Sequence, residues 1–300
     1  MGNQSSTIQE SKAIVKPAND TYTSKKLEYK QTGLRAVVVG CNYSKTNCPL
    51  TGCVSDAQVF LSFLRDRKYG SKAEILLLTD EGDEKYCPTY QNILKSLKWL
   101  ASGEPVDSFH TMDNFESKAE DGVTLVFYYA GHGTQVLDTN GDESDRKDEC
   151  LCPVKPSGEF DEVLIDDTLS QTVSTLMKPE NFWIIFTDCC HSGTVSDLKY
   201  KLSGKCFIRN GNYPDSKSPI VHFGACYDRE TAKEGTVNSG ERHGYFTFSI
   251  IKALKGMRLS VGATHDRCLS GMTSYVSKLD QFPQVSAGQS VITYSTLLPF

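Results

Sequence analysis

Five short, almost wholly apolar runs punctuate the chain: Leu34 to Gly40, Glu74 to Leu78, Val123 to Tyr129, Phe182 to Thr187 and Ile220 to Gly224. Runs of this length, continuous rather than alternating and mostly flanked by turn residues, predict strands buried on both faces. Between most of them the apolar positions recur at helical spacing. Ala57, Phe60, Leu61 and Leu64 share one helical face, as do Leu169, Val173 and Leu176, and further on Phe246, Ile250 and Ala253. Strand and helix in alternation predict an α/β fold, a mainly parallel sheet with helices on both faces.

Three polar stretches fall outside this alternation. Residues 1–30 are rich in Ser, Thr, Lys and Gln and read as a flexible leader ahead of one domain over residues 31–300. Residues 103–121, with Glu104, Asp107, Asp113, Glu116 and Glu120, predict an exposed insertion. Residues 199–219 interleave Lys199, Lys201, Lys205 and Arg209 with Gly204, Gly211 and Pro214, which predicts a protease-accessible linker between regions 31–198 and 220–300.

Two of the apolar runs end in groups that do chemistry. The run from Phe182 breaks into Asp188-Cys189-Cys190-His191-Ser192-Gly193, and the run from Val123 ends in Ala130-Gly131-His132-Gly133. Ligands of open α/β sheets sit beyond the carboxyl ends of the strands, so these two ends can bring a thiol nucleophile to a histidine base. A cysteine thiol is mostly protonated at neutral pH and needs a nearby imidazole or other positive potential to become a thiolate. Spacing alone leaves open which of Cys189 and Cys190 serves, because successive residues of an extended chain point in opposite directions. Asp188 lies two positions before Cys190, where its carboxylate can face the same side and meet a guanidinium or ammonium group.

The two blocks together resemble the histidine and cysteine blocks of the metacaspases, caspase-like cysteine peptidases that cleave after arginine or lysine. The likeness extends through Gly52-Cys53-Val54-Ser55-Asp56, the acidic loop from Asp138 to Glu149, Val163-Leu164-Ile165-Asp166-Asp167 and Gln281-Phe282-Pro283-Gln284, over roughly residues 33 to 295. It implies a caspase-like fold in the type I order, large-subunit-like region before small. It also implies Cys190 as nucleophile and His132 as base, with Cys53, Asp56 and Asp188 lining the pocket for the basic side chain. The family often has serine two residues before the histidine; Ala130 here removes one polar contact from that pocket. The resemblance further implies stimulation by calcium, held by Asp148, Asp166, Asp167 and Asp197, and self-cleavage in the linker. The corresponding alternative is a catalytically weak family member acting as a membrane-associated scaffold or regulator.

Composition narrows the setting. With 39% hydrophobic and 23% charged residues and a formal charge of -5, the 300-residue chain reads as a soluble globular protein, expected to be a monomer, without the basic surface that nucleic acid requires. Its 11 cysteines are odd in number and no apolar signal peptide opens the chain, which predicts reduced thiols in the cytoplasm. Asp138 to Glu149 resembles an EF-hand at its first, third and fifth positions but has Glu143 at the sixth, where that loop needs glycine, and Cys150-x-Cys152 lacks zinc-ligand spacing. Met1-Gly2-Asn3-Gln4-Ser5-Ser6 fits the N-myristoylation pattern at Gly2. One acyl chain without a strong polybasic segment predicts reversible membrane association.

Overall fold

Each of the five apolar runs is a strand of one sheet in the computed structural model, which describes residues 33–66, 73–105, 122–141, 145–237, 240–255, 258–275 and 280–300. The leader with Gly2 and most of the acidic 103–121 stretch lie outside the described residues. In chain order the elements are β1 (Gly33–Gly40), α1 (Cys53–Arg65), β2 (Ala73–Thr79), α2 (Tyr90–Ser102), β3 (Val123–Ala130), β4 (Gly133–Leu137), β5 (Lys147–Leu151) and β6 (Leu164–Ile165). There follow α3 (Asp166–Leu176), β7 (Phe182–Asp188), β8 (Tyr200–Ser203), β9 (Cys206–Arg209), β10 (Ile220–Gly224), β11 (Glu234–Thr236), β12 (Arg242–Gly244), α4 (Tyr245–Leu254), α5 (Val261–Thr273) and β13 (Gln284–Ala287).

The main sheet has 8 strands in the order β2-β1-β3-β7-β10-β13-β8-β9. The five apolar strands run parallel, and β13, β8 and β9 continue the sheet by antiparallel pairing. Because neighbouring side chains of a strand point to opposite faces, β1 feeds both layers of the core. Ala36 and Val38 pack with α1, α4 and α5 through Phe60, Phe246, Ile250 and Cys268, while Val37 and Val39 pack with α2 and α3 through Ile93, Leu97, Leu169 and Val173. The α/β arrangement with helices on both faces is therefore as the periodicity predicts.

The segment read as a linker carries structure of its own. Tyr200–Ser203 and Cys206–Arg209 form a hairpin that β13 joins to the sheet, with Gly204 supplying the positive φ of the turn. Tyr200, Leu202 and Phe207 pack against the core while Lys201, Lys205 and Arg209 stay exposed.

Candidate active site

The parallel ladder between β3 and β7 sets the level of the site. Ala130 is the register partner of Asp188, and one further bond, from the Gly131 amide to the Asp188 carbonyl at 3.2 Å, continues the pairing past the strand ends. His132 and Cys190 thus each stand two residues beyond a paired position, on adjacent strands at the carboxyl edge of the sheet. The chains approach so closely there that a Cβ on Gly133 would lie 2.0 Å from the Cys190 carbonyl oxygen. Glycine after the histidine is a steric requirement of this approach.

Cys189 and Cys190 diverge as strand geometry demands. Cys189 is 1% exposed, and burial raises its thiol pKa well above the ordinary range. Cys190 is half-buried. Burial raises its pKa too, Asp188 adds to this, and an interaction with the Ala232 backbone opposes it. The imidazole of His132 lies against the Tyr43 ring, centroids 4.6 Å apart, with its Nε2 2.7 Å from the Cys48 carbonyl oxygen. Its backbone amide donates to the Tyr43 hydroxyl at 2.9 Å. Among the described residues no hydrogen bond joins His132 to the Cys190 thiol.

The turn after Cys190 is fixed by residues that the sequence reading leaves out. His191 takes a left-handed conformation with φ 56, uncommon for a residue other than glycine. Its ring Nδ1 bonds the Asp228 carbonyl and its amide donates to the Glu230 carbonyl, which turns the imidazole away from the role of base. The Asp228 carboxylate accepts from the Thr194 amide at 2.9 Å. Asp228 is therefore part of the scaffold around the turn that follows Cys190. Its only sequence signal is an acid four residues after a predicted strand.

Cys53, Asp56 and Asp188 come together. Asp188 Oδ2 accepts from the Thr247 amide at 3.0 Å and the Thr247 hydroxyl at 2.6 Å. Burial, then the neighbouring Asp56, push the Asp188 carboxyl up to about 7 against those two bonds. Asp56 Oδ1 is 2.7 Å from His243 Nδ1, and its Oδ2 accepts from the Gly244 amide at 2.8 Å. Burial is the main reason that the Cys53 thiol pKa is raised, and Asp56 and Asp188 are the next largest causes. Ala130 is fully buried. His243 is a member that the sequence reading misses.

The four acids expected to hold calcium divide. Asp148, Asp166 and Asp197 are buried, and Asp166 is pushed up to about 9 by burial and then by the charge of Asp197. Asp166 accepts from the Glu149 and Asp167 amides, and Asp167 accepts from the Asn140 side chain at 2.8 Å. Among the described residues no group of His, Cys, Asp or Glu forms a ready metal cage. The donor chemistry nevertheless fits a hard cation, since carboxylate oxygens are what calcium binds. The 11 cysteines are all free. No helix among the described residues is long and apolar enough to cross a membrane.

Residues 34–199 match the model of the metacaspase, peptidase C14 domain. The chain belongs to the metacaspase family. It is 35% identical over 235 residues to Metacaspase-3 of Arabidopsis thaliana, an overlap of 74% of this chain and 59% of that protein. With Metacaspase-2 of the same plant it shares 32% over 266 residues, 82% and 57% of the two chains. With Metacaspase-1 of Eremothecium gossypii it shares 33% over 301 residues, 90% and 61%. The chain thus spans little more than half the length of these metacaspases. A solved protein from Geobacter sulfurreducens has the same fold, with a TM-score of 0.58 at 20% identity, covering 89% of this chain and 100% of that one.

Proposed function

We propose that the protein is a cysteine endopeptidase that cleaves peptide bonds after arginine or lysine, using Cys190 as nucleophile and His132 as general base. The register pairing of Ala130 with Asp188, which brings both groups to one edge of the sheet, is the observation that carries this reading. His132 leaves the Cys48 carbonyl and takes the Cys190 thiol proton on its unprotonated ring nitrogen; the thiolate attacks the scissile carbonyl carbon. The developing oxyanion meets the Cys190 or Gly193 amide. Collapse breaks the C–N bond, His132 gives its proton to the leaving amine, and a thioester remains. Water, deprotonated by His132, hydrolyses the thioester and restores the thiol. Asp188 and Asp56 supply the negative charge that selects a basic side chain, and Cys53 lines the same pocket.

Calcium stimulation is part of the proposal, with Asp148, Asp166, Asp167 and Asp197 as ligands; bound calcium would supply positive charge that relieves the crowding of these carboxylates. Partial membrane association through acylated Gly2 is a separate element, and an unmodified N-terminal peptide in the cellular protein would remove it. Turnover of matched peptides differing only in Arg, Lys or Asp before the scissile bond, with calcium and with a chelator, tests the reading. Arg and Lys peptides should be cleaved, faster with calcium. Cleavage of the Asp peptide alone would overturn it.

A further inference from the structure

The hairpin of β11 and β12 is clamped onto the start of α1. Glu234 accepts from the Gly52 amide at 2.9 Å, the Thr51 hydroxyl at 3.1 Å and Arg242 Nε at 3.2 Å. The clamp drives His243 into the protein, where it is 4% exposed against an Asp56 that is 2% exposed. One hairpin therefore engages both oxygens of Asp56, through the imidazole at 2.7 Å and the Gly244 amide at 2.8 Å. Gly244 also separates the two acids: a Cβ there would lie 2.2 Å from Asp188 Oδ2 and 3.1 Å from Asp56 Oδ2. A guanidinium or ammonium group cannot lie between these carboxylates while the hairpin stays in place.

We propose that His243 is an internal competitor for the acidic pocket: its imidazole holds Asp56, and a basic side chain of the substrate must displace it to bind. The proposal rests on the specificity stated above and makes His243 a specificity-determining residue that acts through Asp56. Asp56 from α1 and then Glu241, 3.5 Å from Nε2, favour the imidazolium, while burial opposes it. The net effect raises the His243 pKa above its ordinary value. Of the other groups around it, Glu234 of β11 is bound by the clamp, Arg242 of β12 pairs with Glu234, Asp188 of β7 is bound by Thr247, and α4 presents the Phe248 ring at 6.1 Å. A protonated His243 holds Asp56 by charge as well as by a hydrogen bond, so competition is strongest at acid pH and weakens as the pH rises through the raised pKa.

The test compares the full-length wild type with His243→Gln, which retains a hydrogen-bond donor but cannot be protonated, and with His243→Ala. Taking the ratio of wild-type to variant KM for an arginine peptide at each pH cancels the titration of Asp188, which all three proteins share. The ratio should be roughly fivefold or more at about pH 6 and approach unity at about pH 8.5, with kcat ratios flat across the range. A KM ratio that does not change with pH, in variants that melt like the wild type, overturns the proposal. A second readout needs no turnover. In NMR titrations, benzamidine, an aromatic amidinium, should lower the His243 midpoint by taking Asp56, and should leave it unmoved in Asp56→Asn. A midpoint indifferent to benzamidine in the wild type also overturns the proposal. If the wild type cleaves no peptide but the midpoint moves, the peptidase reading fails and the competition stands.

Discussion

The Nε2 atom of His132 sits 2.7 Å from the carbonyl oxygen of Cys48, so the imidazole is engaged by the loop after β1 while the Cys190 thiol stands apart from it. A carbonyl only accepts, which fixes the proton on Nε2 in this arrangement. With the base so occupied, burial decides the state of Cys190 and keeps it a thiol.

The substrate-free enzyme is therefore expected to be slow to alkylate. The pH dependence of iodoacetamide modification at Cys190 should have a midpoint above that of N-acetylcysteine amide, because a raised pKa keeps the thiolate scarce until higher pH. A midpoint below that of the model thiol would mean that the imidazolium already pairs with the thiolate at rest.

Asp188 is expected to trade stability for recognition. Its carboxyl titrates near pH 7 when folded against about 3.9 when unfolded, so the protonated acid is the favoured folded form. Its contribution is fully present below the unfolded pKa and is lost as pH rises through about 7. Asp188→Asn should melt higher than wild type at about pH 8, yet lose about 2 kcal/mol or more, on the order of 30-fold, in kcat/KM for arginine peptides. Paired melting and kinetic measurements check this; a variant that keeps its arginine preference removes Asp188 from the pocket.

Much of this arrangement was legible in the chain, and the remainder was hidden for physical reasons. The five central strands are continuous apolar runs because both faces are covered, and α1, α3 and α4 carry unbroken apolar stripes. The β8–β9 hairpin alternates Leu202 and Phe207 with exposed lysines at the rim of the sheet, and its Gly and Lys content resembles that of an open loop. β4–β6 and β11–β12 are short and pair in two small separate sheets, though Leu151 of β5 and Leu164 of β6 reach the core. Periodicity gave no sign of them. Cys190, His132 and Asp188 were visible because each follows or ends an apolar strand. His243 was not, since Arg242-His243-Gly244 is itself polar and His243 acquires its role only by meeting Asp56 from 187 residues away.

His222 should make the fold sensitive to acid. It is wholly buried between the Thr187 and Ser196 hydroxyls, at 2.7 and 2.8 Å, and burial lowers its pKa to about 3. The neutral ring is the folded form, so its contribution is complete above the unfolded pKa of about 6.5 and is lost as pH falls from there towards about 3. Between about pH 6.5 and 4.5 this amounts to something on the order of 2 kcal/mol. Denaturant melts of wild type and His222→Asn over that range should show the steeper loss in wild type; parallel curves would contradict it.

Calcium binding is expected to release protons. Asp166, held up to about 9, carries a proton at neutral pH that a cation must displace. Its folded-state contribution is lost as pH rises towards about 9, so the calcium-free protein should weaken over that range and calcium should restore it. Calorimetric titration with calcium at about pH 7.5, in two buffers of different ionisation enthalpy, should register proton release in wild type and much less in Asp166→Asn. Equal heats in the two buffers would show that no proton leaves.

Peptide mapping after reaction with an arginyl acyloxymethyl ketone tests the central claim most directly, because this probe must enter the pocket and then meet an active thiolate. The adduct is expected on Cys190. It should form at an undiminished rate in Cys189→Ala, and should be lost in Cys190→Ala and strongly slowed in His132→Ala, with all three variants folded. An adduct on Cys189, or labelling of Cys190 that is indifferent to His132, would contradict the assignment of nucleophile and base.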